Sequence, residues 1–167
     1  MKFDTKVLHA AIKPDLTTGS IVTPLHQTAT YVMEEVGKDK GFDYARSANP
    51  TRQMMEDHLA ALDSGKYGVA FSSGMAAVDS CLKLLKTGDH VICSDDVYGG
   101  TYRLFNQLLI NYDLHFTYVD TSFPDKIEKA IRPETKMIWA ETPTNPLLKI
   151  TDLNAVAKIA KKHDLIF

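Results

Sequence analysis

The chain has 167 residues, of which 44% are hydrophobic and 24% are charged, and this length is sufficient for one domain with a sizeable core. Its formal net charge of −2 gives no electrostatic footprint for nucleic acid or for an anionic membrane. No apolar stretch is long enough for a membrane span, the N-terminus lacks the apolar core of a signal peptide, and the cysteines and histidines show no metal-ligand spacing. We therefore expect a cytoplasmic protein without a metal site.

Residues 1–48 differ in character from the remainder of the chain. Prolines, glycines and threonines are scattered through them without a sustained helical period, which predicts an extended N-terminal arm. Apolar residues of this arm, such as Ile21, Val22 and Leu25, need a surface to pack on. The candidates are the body of the same subunit and that of a neighbour. Residues 49–167 form the second predicted region.

From Pro50 onward, predicted helices alternate with predicted strands. Helical spacing of apolar residues and helix-start signals predict helices over 50–62, 74–87, 102–112, 124–131 and 153–163. Short apolar runs predict strands over 67–71, 90–94, 114–119 and 136–140, and a further strand that begins at Leu165. This alternation predicts a three-layer α/β/α fold with a mainly parallel sheet, and ligands of such sheets bind at the carboxyl ends of the strands.

The turn Ser72-Ser73-Gly74-Met75 separates the predicted strand 67–71 from the next helix. Ser73 is a suitable helix cap, and Gly74 allows a ligand to approach the backbone closely. Backbone N–H groups at such a helix N-terminus face an anion. An ordinary helix start with a serine cap explains the same residues, because Ser-Gly turns are common, so the turn alone leaves both interpretations open.

Two further polar loops are predicted at the same edge of the sheet. Residues 94–98 follow one strand, and residues 141–146 follow another. Polar loops at the carboxyl ends of neighbouring parallel strands are typical of a binding site. We therefore expect these loops and the Ser73-Gly74 turn to converge.

Four segments carry a family resemblance: Tyr44–Arg52, Ser72–Met75, Asp96–Arg103 and Glu141–Pro146. In order and spacing they resemble the pyridoxal-phosphate enzymes of cysteine and methionine metabolism, the trans-sulfuration family of cystathionine γ-synthase, β-lyase and γ-lyase. The resemblance covers essentially all of the chain. It implies the fold of the type I pyridoxal-phosphate-dependent transferases, pyridoxal 5′-phosphate as the cofactor, a small amino-acid substrate, and a homo-oligomer of the family's tetrameric type.

The resemblance also implies roles for residues of the predicted cleft. Ser73, Gly74 and Met75 would hold the cofactor phosphate at the helix N-terminus. Tyr98 would stack on the pyridine ring of the cofactor and take part in proton transfer. Tyr98 is therefore the candidate catalytic residue.

Other residues complete the site that the resemblance implies. Tyr44 and Arg46 would finish the phosphate site from the arm of the neighbouring subunit, since an arginine fork and a phenol suit phosphate oxygens. Asn145 would lie near the 3-hydroxyl of the cofactor. Arg103 and Glu141 would lie near the substrate, although a solvated helix face for Arg103 and a structural strand end for Glu141 explain them as well.

The cofactor lysine is the feature that the chain does not show. A pyridoxal-phosphate enzyme needs a lysine that forms a Schiff base and a carboxylate that faces the pyridinium nitrogen. Neither occurs here in the sequence context that the family gives it. Lys149 is the only lysine of residues 141–150, and the family's motif does not place the lysine there. We therefore expect the chain to be the first part of a larger enzyme and to be inactive alone.

Two other functions stay open. One is a non-catalytic remnant that pairs with a longer homologue. The other is a generic phosphate- or nucleotide-binding α/β domain, which leaves Tyr44-Ala45-Arg46 and Val97–Gly100 unexplained. Within the family, methionine γ-lyases typically carry a cysteine at the position of Gly100, so this glycine favours the cystathionine enzymes without separating synthase from lyase.

Overall fold

The computed structural model describes residues 2–167, which divide into one compact unit up to Phe71 and a second from Ser72 onward. The helices of the first unit are α1 (Phe3–His9) and α2 (Pro50–Leu62). The strands of the second unit are β1 (His90–Ser94), β2 (His115–Val119) and β3 (Thr135–Trp139). Its α-helices are α3 (Gly74–Leu82), α4 (Gly99–Arg103), α5 (Pro124–Lys129) and α6 (Leu153–Lys162). The predicted division after residue 48 stays a prediction.

The first unit has the predicted helix α2 and one helix that was not predicted. Asn49 caps α2, because its side-chain oxygen accepts hydrogen bonds from the N–H of Thr51 (2.9 Å) and of Arg52 (3.4 Å). A cap of this kind stabilises a helix by about 1 kcal/mol. The prediction of an arm without helix was wrong for α1. This helix has 7 residues and buries none of them, so its apolar pattern is too weak to reveal it.

Residues 67–71 do not form the predicted strand. Tyr67 is 77% exposed, and the N–H of Ala70 donates to the Glu56 carboxylate of α2 (2.9 Å) instead of to a neighbouring strand. Gly68 lies directly against the Glu56 carbonyl, where a Cβ atom would clash. The prediction was wrong because no described strand pairs with this segment, and an apolar run without a partner strand does not make a sheet.

The second unit is built on a parallel sheet with the strand order β2-β1-β3. β1 has the predicted bounds, and every residue of this central strand is buried. Ser94 pairs in register with Val119, and Cys93 pairs with Trp139. The three strands therefore end at one edge of the sheet, and the loops that follow them meet there.

Helices cover both faces of this sheet, as predicted. The cluster on one face joins β1 and β3 to α3 and to the helical segment after β1, through Leu82, Val91, Cys93, Phe105 and Met137. The cluster on the other face joins β1 and β3 to α5 and α6, through Ile92, Ile127, Ile138, Val156 and Ala160. Successive residues of β1 thus enter opposite cores, which is typical of a strand that is buried on both sides.

The helix predicted over 102–112 begins earlier and does not stay α-helical. Its parts are α4, a π-helical turn over 104–108 and a 3-10 turn over 109–112. The side chain of Asn106 donates to the carbonyl of Tyr102 (2.9 Å), an oxygen that a backbone N–H would use in an α-helix. A side chain that enters the hydrogen-bond ladder in this way widens the helix locally, which apolar spacing does not reveal.

The last helix follows the prediction, and of the last predicted strand a single bridge is present. Asp152 caps α6, and its carboxylate accepts from the N–H of Asn154 and of Ala155, both at 3.0 Å. Ile166 forms a parallel bridge with Met137 of β3, where the last strand was predicted to begin at Leu165. Within residues 2–167, no helix has the length and the apolar character that crossing a bilayer requires.

His90 is a buried histidine at the start of β1. It is 1% exposed, and its ring nitrogens hydrogen-bond the hydroxyls of Thr135 (2.7 Å) and Thr117 (2.8 Å). Burial lowers the pKa of His90, and the positive charge of Arg132 lowers it further. The fold therefore favours the neutral ring.

We expect the free energy of unfolding of the second unit to fall as the pH falls from about 7.5 to about 5. The pKa of His90 is near its ordinary value of 6.5 in the unfolded chain and lower in the fold, so the unfolded chain binds the proton first. Urea unfolding followed by the fluorescence of Trp139, the single tryptophan, measures this loss. His90→Gln should flatten the pH dependence. Equal pH dependence in the wild type and in His90→Gln would contradict the expectation.

Candidate active site

A cleft of about 630 Å³ opens at the carboxyl edge of the sheet. Its walls come from the start of α3, the loop after β1 and the loop after β3, with Ser73, Gly74, Met75, Val78, Tyr98, Thr101, Trp139, Ala140, Glu141 and Asn145 as lining residues. The structure therefore brings together the predicted residues of all three loops. This volume is in the range of small-molecule sites.

The N-terminus of α3 presents unpaired backbone donors to the cleft. Ser73 is the predicted cap, because its Oγ accepts from the N–H of Ala76 (3.1 Å). Among residues 72–167, no group accepts a hydrogen bond from the N–H of Gly74 or Met75. A Cβ atom on Gly74 would meet no heavy atom within 4 Å, so the space beside the turn is open. Open donors at the positive end of a helix suit an anion.

The ring of Tyr98 lies next to this turn and depends on Gly100 for its position. A Cβ atom on Gly100 would clash with the Tyr98 ring and would lie 3.0 Å from the sulfur of Met75. The missing side chain at position 100 therefore leaves room for the ring. An aromatic face and an anion-binding turn thus share one cleft.

The loop after β3 contributes Glu141 and Asn145 to the cleft. Oε2 of Glu141 accepts a hydrogen bond from the N–H of Tyr98 (2.9 Å), and Asn145 is exposed on the same wall. Arg103 is exposed in α4 and is not one of the lining residues. Its guanidinium lies 3.6 Å from the position that a Cβ of Gly99 would take. The roles of all three toward cofactor and substrate stay predictions.

Tyr44 and Arg46 belong to the first unit. The guanidinium carbon of Arg46 lies 4.6 Å from the centroid of the Tyr44 ring, which is a cation–π contact. The segment is held by a bridge between Tyr44 and Thr30 and by the N–H of Ala45, which donates to the carbonyl of Ala29 (2.8 Å). The two side chains are therefore already paired, and their part in a phosphate site stays a prediction.

Three buried hydroxyls join the loops at the carboxyl edge, and sequence patterns did not single them out. Ser94 Oγ lies 3.0 Å from Thr121 Oγ1, which lies 2.7 Å from Thr151 Oγ1. The N–H of Glu141 donates to Ser94 Oγ (3.1 Å). The available signals were a Ser or Thr close to the predicted ends of two strands, for Ser94 and Thr121, and a Thr just before the predicted helix 153–163, for Thr151.

Lys149 pairs with two carboxylates instead of facing the cleft. Its Nζ lies 2.9 Å from Asp95 Oδ1 and 3.3 Å from Asp120 Oδ2. The hydrogen bond to Asp95, together with that to Asp120, raises the pKa of Lys149. A Schiff base needs a neutral amine, so a protonated and paired lysine does not suit that role. Lys149 instead links the loops that follow the three strands.

The fold and the cleft together define a class of protein. A parallel sheet that is covered on both faces, with open N–H groups and an aromatic ring at its carboxyl edge, is the arrangement of an α/β domain that holds a phosphate-bearing cofactor. In the part of the chain from residue 2 to residue 167, no group of three or more His, Cys, Asp or Glu side chains is placed to hold a metal ion.

Comparison with known proteins identifies the family within this class. The family model for the Cys/Met metabolism PLP-dependent enzymes matches residues 4–167. The chain therefore belongs to the pyridoxal-phosphate-dependent enzymes of cysteine and methionine metabolism, which confirms the prediction from its four motifs. The cofactor of this family is pyridoxal 5′-phosphate.

The relatives that the chain resembles are cystathionine enzymes. A probable cystathionine γ-synthase of Herpetosiphon aurantiacus is 44% identical over 163 residues, which are 98% of this chain and 51% of that protein. Cystathionine γ-lyase of Bacillus subtilis (strain 168) is 50% identical over 166 residues, which are 99% of this chain and 44% of that protein. The crystal structure of cystathionine γ-lyase from Lactobacillus plantarum complexed with L-serine has a TM-score of 0.92 at 45% identity, over 99% of this chain and 43% of that one.

These matches confirm the predicted fold of type I, since the solved relative is a cystathionine lyase of the same fold. The matches also show how much of each relative the chain covers. The chain spans about half the length of the relatives it matches, or somewhat less. The activities of the full-length relatives are therefore assigned to this chain only as a proposal.

We expect Gly100→Ala to move the Tyr98 ring away from Met75, because a methyl group at position 100 would occupy the place of the ring. Gly99→Ala is the matched control on the same helix, since its added Cβ meets only the Arg103 side chain, at 3.6 Å. Alanine in place of glycine favours a helix by about 0.5–1 kcal/mol at both positions, so helix propensity does not separate the two variants. Nuclear Overhauser contacts between the Tyr98 ring and the Met75 methyl group measure the displacement. Equal contacts in both variants would contradict the expectation.

We expect Lys149 to stay largely unmodified when the chain is treated with pyridoxal 5′-phosphate and then with borohydride. Its raised pKa and its two carboxylate partners keep the amine protonated, and only the neutral amine reacts. Peptide mass spectrometry measures the modification of each lysine. Lys158 is the internal comparison, because it is exposed and has no ion pair among the described residues. Heavier labelling of Lys149 than of Lys158 would show the expectation to be wrong.

Proposed function

We propose that this chain supplies the cofactor-binding region of a pyridoxal-phosphate-dependent trans-sulfuration enzyme, which makes or breaks carbon–sulfur bonds of sulfur amino acids. One observation supports this above all. The open N–H groups of Gly74 and Met75 share a single cleft with the ring of Tyr98. A phosphate group suits the first feature and a pyridine ring suits the second, and pyridoxal 5′-phosphate carries both.

The donor set of the cleft fits this cofactor. The N–H groups of Gly74 and Met75 would bind phosphate oxygens, while Ser73 keeps its Oγ for the cap of α3. The Tyr98 ring would lie against the pyridine ring, and the amide of Asn145 would donate to the 3-hydroxyl oxygen. When bound, the cofactor supplies an electron sink for chemistry next to the amino group of an amino acid.

Tyr98 is also proposed to move a proton during the reaction. A phenol that lies against the cofactor keeps its hydroxyl close to the bound amino acid. The hydroxyl both donates and accepts a hydrogen bond, so it is able to hand a proton to the substrate or to take one from it. The Tyr98 side chain is 47% exposed, which leaves it accessible from the open side of the cleft.

The substrate is proposed to be an α-amino acid with a sulfur-bearing side chain. The family acts on amino acids, and the Lactobacillus plantarum relative is complexed with L-serine. Arg103 is proposed to bind an anionic group of the substrate, because an exposed guanidinium forms bidentate hydrogen bonds with a carboxylate. Glu141 is proposed to lie near the substrate from the other wall. The proposal covers synthase and lyase activities alike, since both occur among the named relatives.

Tyr44 and Arg46 are proposed to act at the phosphate of a neighbouring subunit in a homo-oligomer. Their support is chemical: an exposed guanidinium over a phenol ring offers several donors to phosphate oxygens. We propose the cytoplasm as the location, in keeping with the composition.

Pyridoxine 5′-phosphate tests the proposed site, because it keeps the ring and the phosphate but has no aldehyde to react with surface lysines. We expect this ligand to shift the amide NMR signals of Gly74 and Met75 and the ring signals of Tyr98. Gly74→Pro should weaken its binding by about tenfold, since the variant loses one N–H donor to the phosphate. Proline is tolerated at the first position of a helix, so the fold of α3 should persist.

Pyridoxine without its phosphate is the control ligand for this variant. It should bind the wild type and Gly74→Pro equally, because the altered donor faces only the phosphate. Circular dichroism and the fluorescence of Trp139 verify that the variant is folded. Equal affinity of pyridoxine 5′-phosphate for both proteins, or the absence of shifts at Gly74 and Met75, would contradict the proposal.

A further inference from the structure

We propose that Asp96 and Glu141 form a reciprocal clasp between the two loops that line the cleft, and that this clasp sets the positions of Tyr98 and Asn145. Each loop presents one carboxylate to the main chain of the other loop. The inference rests on the proposed function, because Tyr98 and Asn145 are the residues proposed to contact the cofactor ring.

The first half of the clasp runs from the loop after β1 to the loop after β3. Oδ2 of Asp96 accepts hydrogen bonds from Thr144 Oγ1 (2.5 Å) and from the N–H of Leu147 (2.9 Å). Thr144 is 1% exposed, and its Oγ1 also accepts from the N–H of Lys149 (2.8 Å). The segment 144–149 is therefore folded around the Asp96 carboxylate, and Asn145 lies within that segment.

The second half runs in the opposite direction. Oε2 of Glu141 accepts from the N–H of Tyr98 (2.9 Å), which is the residue before α4. The N–H of Glu141 donates to Ser94 Oγ (3.1 Å) at the end of β1. The main chain of Glu141 is therefore held at the end of β1, and its carboxylate in turn holds the main chain of Tyr98.

The contacts of both carboxylates indicate that they act through other residues. Their hydrogen-bond partners are backbone N–H groups and one buried hydroxyl, so they determine where the two loops run. Tyr98 and Asn145 lie on different walls of the cleft, and a planar ligand requires a fixed spacing between such walls. Loops that are held before the ligand arrives lose less conformational freedom on binding, which favours affinity. Asp96 and Glu141 are therefore positioning residues.

Among the described residues, one oxygen of each carboxylate accepts these hydrogen bonds, so a single amide oxygen is able to replace it. Asn at position 96 and Gln at position 141 keep a carbonyl oxygen that is able to accept the same hydrogen bonds. Alanine at either position removes the acceptor. Asp96 lies on the loop that Glu141 holds, and Glu141 lies on the loop that Asp96 holds. The loss of either carboxylate should therefore release both loops, and the loss of the second should increase their mobility little further.

Amide hydrogen exchange of the 167-residue chain, without any ligand, tests the clasp directly. We expect Asp96→Ala and Glu141→Ala each to speed exchange at both Tyr98 and Leu147 by about tenfold or more, and the double variant to resemble either single variant. Asp96→Asn and Glu141→Gln should stay within about threefold of the wild type. Asp125→Ala is the control, because Asp125 is an exposed carboxylate whose ion pair among residues 2–167 is with Lys129 of the same helix, α5. Exchange that rises only at the direct partner of each carboxylate, or effects that multiply in the double variant, would overturn the proposal.

Binding of pyridoxine 5′-phosphate provides the second readout and separates the clasp from the proposed function. We expect about tenfold weaker binding in each alanine variant and recovery in Asp96→Asn. A wild type that does not bind the ligand contradicts the proposed function, while hydrogen exchange still decides the clasp. A wild type that binds, with alanine variants of equal affinity, overturns the clasp and leaves the proposed function standing.

Two further outcomes are informative. Equal losses in Glu141→Gln and Glu141→Ala would mean that the charge of Glu141 acts on the ligand itself, and this would overturn its assignment as a positioning residue. If Asp96→Ala does not fold, Thr144→Val removes the hydroxyl that donates to Asp96 with little change in shape, and it also removes the acceptor of the Lys149 N–H. It should then speed exchange at Leu147 and Tyr98 in the same way, and unchanged exchange at both would overturn the proposal.

Discussion

The parallel pairing of β1 with both of its neighbours is the constraint on which the site depends. Parallel strands need a crossover connection, so the chain returns each time by a helix and leaves each strand at the same edge. β1 has neighbours on both sides, and its residues enter two separate cores. A shift of one residue would exchange Val91 and Cys93 with Ile92 between these cores. Packing therefore fixes the register, and the register fixes the level at which the loops begin.

The helices and strands that are determined by residues close together in the sequence could be predicted. Capping residues and apolar spacing predicted α2 and α6, and short apolar runs predicted the three strands of the sheet. The strand order brings the loops after β1 and β3 together, and the packing of α3 on the sheet brings the Ser73-Gly74 turn to the same cleft. Errors arose where a distant group determines the backbone. The N–H of Ala70 donates to Glu56 of a helix, and the side chain of Asn106 occupies a carbonyl oxygen of its own helix.

The contacts that organise the cleft were beyond sequence patterns for the same reason. Glu141 meets Tyr98 across 43 positions of the chain, and Asp96 meets Thr144 across 48. Nothing in the neighbourhood of either carboxylate reveals such a partner. Lys149 shows the same limitation, since the sequence argued against a cofactor role for it without revealing what it does instead. Only its distances to Asp95 and Asp120 reveal a lysine engaged in holding loops together.

The hydrogen-bonded hydroxyls of Ser94, Thr121 and Thr151 support the cleft from beneath through uncharged contacts. The ion pairs of Lys149 support the outer part of its loops, which is the rim of the cleft. The three hydroxyls carry no charge and are at most 4% exposed, so dissolved ions neither screen nor replace their hydrogen bonds. The side chain of Lys149 is 27% exposed, and its ion pairs weaken as ionic strength rises. Added salt therefore loosens the cleft from its outer rim inward, while the strand ends beneath keep their spacing. Ionic strength becomes a means of relaxing one layer of the site without disturbing the other.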